Sequence, residues 1–233
     1  MLKSSPIILF LVLILSGCGE ERKKERKSSF SELEVNVTNH QLLDSLIIYD
    51  KEESWEIKST LRFKESNRVL DTMNILEKKL YQIYLFSDGN QLELGELMVS
   101  QNSKIVLTIN ENKPFESINY TGNFELSNNF LAYSRKHQHQ LSQMIPNGIE
   151  QAELEILLKK KKNLISDKGD SLNIVDSLNT YTLEKFDQFS DILKQKNTKY
   201  LYKASLVDAI GNNFSFKDIN NNKIALTDFK GKY

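Results

Sequence analysis

The sequence predicts an α+β protein: a short-stranded antiparallel β-sandwich or partial barrel, then a helical segment, then an incomplete β-hairpin near the C-terminal end. Three observations lead there. From Leu33 to Tyr120, apolar residues recur at steps of two in short runs divided by polar turns, as strands with one buried face require. From Asn123 the step changes to three and four, the period of helices that pack along one face. From Phe214 a brief alternation returns on either side of Asn220-Asn221-Asn222. The balance of 31 basic against 31 acidic residues and a hydrophobic share of 39% are those of an ordinary folded chain and point to no nucleic-acid partner.

Lys3, an unbroken apolar run over 7–15, and the small residues Ser16 and Gly17 have the layout of a secretory signal. The run is too short to cross a bilayer, which takes roughly 20 apolar residues. Leu15-Ser16-Gly17-Cys18 resembles the bacterial lipobox. That resemblance implies cleavage before Cys18, diacylglycerol on its thiol and acylation of the new amino terminus, and two or more chains hold a protein stably to a membrane. The expected location is the cell envelope, lipid-anchored to a membrane and facing the periplasm or the cell surface. Cys18 is the single cysteine, so no disulfide is expected. Residues 1–17 thus read as a lipoprotein signal peptide, and 18–32, charged and poor in apolar residues, as a flexible tether.

Residues 33–122 read as a β-domain. Leu33, Val35 and Val37 alternate with Glu34, Asn36 and Thr38, and strands are also expected over 46–49, 60–63 and 69–73. The strongest hairpin joins 80–86 to 92–99 through Asp88-Gly89, where glycine accepts positive φ without a Cβ clash. Strands at 105–109 and 117–120 bring the expectation to about eight, in the manner of a sandwich or partial barrel.

Residues 123–205 read as helical. Ser127 is positioned to cap a first helix that carries Phe130, Leu131, Ser134, His137, Leu141 and Met144 on or near one face, and Pro146-Asn147-Gly148 would stop it. A second carries Leu154, Leu157, Leu158, Leu164 and Ile165 and is expected to end at Gly169. A third, capped by Asp170 or Ser171, carries Leu172, Val175, Leu178, Phe186, Phe189 and Leu193.

Candidate chemistry is sparse. His137 and His139, two apart on a helix, diverge by about 200° and cannot share one metal ion; His40 lies in another region. The run 159–162 of four lysines spreads around a helix and reads as a solvated face. Glu52 with Glu53, and Glu93 with Glu96, could be offered as acid and base for glycoside hydrolysis, yet no polar constellation supports either pair. Trp55, Tyr81, Tyr84 and Phe86 could line a ligand groove, but strand aromatics more often fill a core. There is no glycine-rich phosphate loop and no serine elbow. No cofactor is expected, and no metal.

At the end of the chain, Phe214, Phe216 and Asp218 open a strand, a turn comes next, and Ile224 to Leu226 return, followed by Asp228, Phe229 and Gly231. Residues 214–233 resemble the opening of the TlpA/ResA-like thiol-disulfide oxidoreductases, a thioredoxin-fold family related to the AhpC/TSA peroxiredoxins. Phe216 stands where the family has leucine, Asn222 where it has glycine, and Thr227 where it has serine. The resemblance implies that 206–233 begins a thioredoxin-like domain and that a central strand and Trp-Cys-x-x-Cys come next. No position here matches that motif, so no catalytic residue is carried over and no activity is expected of the chain as given, which reads as truncated or a fragment. With the lipobox and the β-domain, the layout resembles envelope lipoproteins of that family with an amino-terminal accessory domain, in which 126–130 is where sheet hands over to helix. The expected function is the accessory, non-catalytic region of such an oxidoreductase. The alternative is a stand-alone envelope binding or scaffold lipoprotein that recognises a protein, peptide or glycan.

Overall fold

Strict alternation builds the first strand. In β1 (Phe30–Thr38) Leu33, Val35 and Val37 are buried while Glu34 and Asn36 face outward. The computed structural model describes residues 30–38, 43–63, 66–145, 148–213, 215–217 and 223–225, by backbone alone beyond Ser205. Seven further strands form the β-half: β2 (Leu43–Asp50), β3 (Glu56–Arg62), β4 (Arg68–Asn74), β5 (Lys79–Ser87), β6 (Asn90–Val99), β7 (Lys104–Asn110) and β8 (Asn119–Gly122). They make two four-stranded sheets, ordered β4-β1-β7-β8 and β3-β2-β5-β6. One core serves both sheets, with Leu33, Val35, Ile105 and Leu107 from the first and Leu46, Ile48, Ile83 and Leu97 from the second.

The two sheets remain separate and share one core, as in a sandwich, and depart from the expectation in their pairing and in the bounds of their strands. The pairing is not antiparallel throughout, because β1 runs parallel to β7, with Leu33 opposite Ile105 and Val35 opposite Leu107. A parallel pair needs a long crossover, and β2 to β6 supply it. Finally, Phe30 to Glu32, assigned to the tether, already pair with Asn74 to Thr72, and Ser31 donates to the Ser100 carbonyl at 2.6 Å. The last strand is also displaced, since Pro114–Ser117 form a one-turn helix, α1.

Three long helices come after the sheets: α2 (Glu125–Met144), α3 (Gln151–Ser171) and α4 (Asp176–Asn213). Phe130, Leu131, Leu141, Leu154, Leu158, Ile165, Leu178, Phe186 and Leu193 form a second core, which reaches the outer side of the β3-β2-β5-β6 sheet at Met98 and Leu80. Helix α2 begins earlier than a Ser127 cap would place it, after Phe124 in the left-handed region at φ 59°. The reason lies in the next turn. Asn128 Oδ1 accepts from Met98 N at 2.7 Å while its Nδ2 donates to Met98 O at 3.2 Å, and Asn129 holds Tyr120 N and O in the same way, both at 2.8 Å. Met98 and Tyr120 lie on the edge strands β6 and β8. Two consecutive side-chain amides thus replace a missing strand on each edge and fix where the helix starts.

Helix α3 does not stop at Gly169. It runs on to Ser171, and the left-handed residue after it is Asn173, at φ 50°. A Cβ on Gly169 would meet Asn179 Oδ1 at 2.7 Å, so this glycine serves the close approach of α3 and α4. Asp170 and Ser171 therefore belong to α3 and not to the cap of the next helix. Leu172 and Val175 lie in the connection, and Val175, Met144 and Leu164 are exposed. Helix α4 continues past position 206, the expected start of a new domain. Beyond it β9 (Ser215–Lys217) and β10 (Lys223–Ala225) pair antiparallel, Phe216 opposite Ile224. Phe214, Asp218, Leu226, Asp228, Phe229 and Gly231 lie outside the described residues, as do Leu15, Ser16, Gly17, Cys18 and His40.

Candidate functional site

The outer face of the β3-β2-β5-β6 sheet changes character along β5. Leu80 packs under the helices, Gln82 lines a cleft, and Tyr84 belongs to an aromatic cluster. The cleft has a volume of about 150 Å³ and is walled by β5, β6, α2 and α4, with Lys51 contributed by the turn after β2.

Glu96 is its organising acid. Glu96 Oε1 accepts from Tyr181 Oη of α4 at 2.6 Å and from Gln82 Nε2 at 3.0 Å. Burial, reinforced by the bond to Glu96, pushes the Tyr181 hydroxyl well above its ordinary pKa and keeps it a donor. Glu93 stands further along the rim. Arg135 reaches it from α2, donating through Nη2 to its carbonyl at 3.2 Å and approaching its carboxylate at 3.6 Å. The Arg135 stem lies against Gly95, where a Cβ would come within 3.3 Å of Cγ.

A β-bulge brings the two acids together. Residues three apart on a regular strand face opposite ways. Here Gln82 pairs with Glu96, Ile83 with Gly95 and Tyr84 with Glu93, so Leu94 is an extra residue and both glutamates share the outer face. Gly95 takes φ 125°, a value that disfavours any other residue. The sequence signals this only through Gly95, a lone glycine inside a strand pattern, and without that bulge the Glu93–Glu96 pair has no supporting constellation. Gln82, Ser134, Arg135, Tyr181, Lys51 and Lys185 give no functional signal in the sequence, because each reads as an ordinary polar position of its strand, turn or helix.

The aromatic cluster continues the site. Tyr49 pairs across the strands with Gln82, and Tyr84 with Glu93. The rings of Tyr49 and Tyr84 meet edge to face with centroids 5.5 Å apart, and Trp55 joins them at 6.3 and 6.4 Å. Lys51 lines the cleft and lies 5.8 Å from the Trp55 ring centre. Of the four aromatics considered for a groove or a core, Tyr81 is buried in the core, Phe86 is half-buried, and Tyr84 and Trp55 stand on the outer face, Trp55 with 47% of its surface exposed. Trp55 comes after Ser54 into the left-handed region, at φ 65° after 55°. Two such residues in succession are costly when one is bulky, and the turn is held accordingly. Buried Asp50 accepts from the N–H groups of Glu52 and Glu53 through Oδ1 and ion-pairs with Lys79, while Lys58 bonds Glu53 at 2.6 Å and Glu56 at 2.8 Å. Glu52 and Glu53 thus belong to the turn.

The histidines lie elsewhere. His137 is buried, with Nδ1 3.0 Å from Lys161 Nζ and 3.2 Å from Gln140 Oε1; His139 stacks on Phe115 with centroids 3.9 Å apart. Within the lysine run, Lys161 therefore packs on His137, and Lys162 bonds Asp187 at 2.6 Å. Among the described residues no group of three His, Cys, Asp or Glu could hold a metal ion, and no helix is long and apolar enough to cross a membrane.

No protein-family model matches the chain, and no curated protein matches it significantly. Among solved structures, the chain is similar to a candidate cell adhesion protein from Bacteroides ovatus at 7% identity and a TM-score of 0.24, over 40% of this chain and 42% of that one. The chain thus spans less than half of that protein's length.

Proposed function

We propose that this chain is the non-catalytic, lipid-anchored accessory part of an envelope thiol-disulfide oxidoreductase of the thioredoxin superfamily. The observation that carries the reading is the hairpin after α4: β9 and β10 pair antiparallel at 215–217 and 223–225, where the resemblance to the TlpA/ResA-like opening calls for strand, turn and strand, and they form a sheet of their own. Lys3, the apolar run over 7–15 and Cys18 support the anchor. The test is to sequence the locus past the codon for Tyr233. An apolar strand succeeded in frame by Trp-Cys-x-x-Cys is expected, and its absence overturns the redox reading. Metabolic labelling with a clickable palmitate is expected to mark the protein and to miss Cys18→Ala; equal labelling of both removes the anchor.

A second reading, a stand-alone envelope binding lipoprotein, is favoured by the cleft. Side chains from two strands, two helices and a turn converge there beside exposed aromatics, a convergence that maintaining either core does not require.

A further inference from the structure

We propose that the Glu96 cleft and the Tyr49–Trp55–Tyr84 shelf together form a saccharide-binding site, with the hydroxyls of one sugar ring in the cleft and a neighbouring ring on the aromatic shelf. The inference deepens the binding reading and rests on it; it is independent of the coding sequence beyond Tyr233.

The first support is unmet hydrogen-bonding capacity. Gln82 is 7% exposed and Ser134 3%, both line the cleft, and neither Gln82 Oε1 nor Ser134 Oγ has a hydrogen bond among the described residues. The Gln82 amide is oriented by its neighbour, since only Nε2 can donate to the Glu96 carboxylate. Both oxygens are closed to water in this arrangement, so a guest meets them only once the side chains turn toward the cleft, and the cost of about 1–3 kcal/mol for an unpaired buried group favours that turn when a hydroxyl is present.

The second support is the mixture of charge. Glu93 and Glu96 disfavour an anion; Lys51, Arg135 and Lys185 disfavour a cation; and an apolar guest would desolvate all of them without compensation. A hydroxyl both donates and accepts, so adjacent hydroxyls meet the amide and carboxylate oxygens on one side and the ammonium groups on the other. The volume of about 150 Å³ admits a single ring-sized group and lies below the range of about 300–1,000 Å³ usual for larger ligands. A peptide added as a further strand would need an open edge, and beside the cleft β6 is occupied by Arg135 at Glu93 O and by Asn128 at Met98.

The third support is the shelf. A strained, stapled turn holds Trp55 outward, and strain of this kind is concentrated at functional positions. An indole offers an apolar face with little conformational entropy to lose, which suits the C–H face of a pyranose ring.

Trp55 is the only tryptophan in the chain, so its fluorescence reads the shelf directly. The full chain would be titrated with cellohexaose, maltohexaose, chitohexaose, mannohexaose and xylohexaose, and with tetra-alanine as the peptide probe. A saturable change in Trp55 emission with at least one sugar is expected. It should weaken about tenfold in Glu96→Gln and in Ser134→Ala, the loss of one hydrogen bond's worth of affinity, and stay unchanged in Lys104→Ala on the other sheet. Circular dichroism melts establish that each variant is folded, and Glu96→Gln, nearly isosteric, carries the test if Ser134→Ala is not. No saturable response to any sugar overturns the proposal, as does a response indifferent to Glu96→Gln, or binding of tetra-alanine as tight as that of the best sugar. These outcomes are read separately from the locus sequence, so either proposal can fail while the other stands.

Discussion

The β3-β2-β5-β6 sheet has two faces made by alternate residues of the same strands. On the inner face, Ile48, Ile83 and Leu97 are fully enclosed by the opposite sheet. On the outer face, Gln82, Tyr84, Glu93 and Glu96 meet side chains that arrive from α2 and α4 many residues later in the chain. The inner face gains stability from apolar area, which any close-packed partner supplies. The outer face gains a shape and a set of polar directions that only these helices, at this bulge, supply. The comparison therefore separates what holds the protein together from what it presents, and substitutions should separate the two in the same way.

The largest effect is expected on the inner face. Ile83→Ala empties a fully buried site and should cost about 2–5 kcal/mol in a denaturant unfolding curve. A cost below about 1 kcal/mol would mean that the two sheets do not close over a common core. Next comes the seam between sheet and helix. Asn128→Ala strands both main-chain groups of Met98 in a buried setting and should cost about 2–3 kcal/mol, whereas Glu96→Gln on the open face should cost under about 1 kcal/mol. Equal costs for the two would erase the distinction between seam and cleft. Gly169→Ala presses a methyl group into Asn179 and should cost about 1–3 kcal/mol, with Asn179→Ala in the same chain restoring part of it.

The sequence was most legible where one face simply meets an apolar partner. Alternation located the strands of the β-half and left the last one displaced, because burial on one side imposes a period of two whatever lies opposite. It was silent on the parallel register of β1 with β7, since Leu33, Val35 and Val37 are equally apolar in either direction. Asn128, Asn129 and Asn197 carry no signal in the hydrophobic pattern, yet they act as main-chain mimics, Asn197 bonding Ile149 N at 3.1 Å and O at 2.8 Å. Nothing in residue spacing reveals such a bond, because its partner lies 9 to 48 residues away. The cleft was illegible for the same reason, with Tyr181 and Glu96 85 residues apart.

A smaller effect should accompany pH. Burial, with Lys161 and Lys136 adding repulsion, holds the His137 pKa below its usual 6.5, and burial does the same for His139. The unfolded chain then takes up protons at a higher pH than the folded one, so stability rises with pH through the interval between the lowered values and 6.5 and is lost as pH falls through it. Denaturant midpoints measured from about pH 7.5 down to about pH 5 should fall, and His137→Gln should flatten part of that slope. A slope unchanged in His137→Gln would place the titration on other groups.

The smallest expected effect is the most telling for the outer face. Trp55→Gly removes an indole from contact with Tyr49 and Tyr84, which should forfeit about 0.5–1.5 kcal/mol of ring contact. It also relieves a left-handed conformation that a bulky residue occupies at a cost of about 1–3 kcal/mol and glycine occupies freely. The terms oppose each other, so the unfolding free energy should stay within about 1 kcal/mol of the parent or rise above it. A loss of 2 kcal/mol or more, about the scale of a core residue, would make Trp55 part of a packed layer and leave the outer face without its exposed shelf. Near-neutral stability would mean that the turn holds this ring at the surface at an energetic cost that folding does not require.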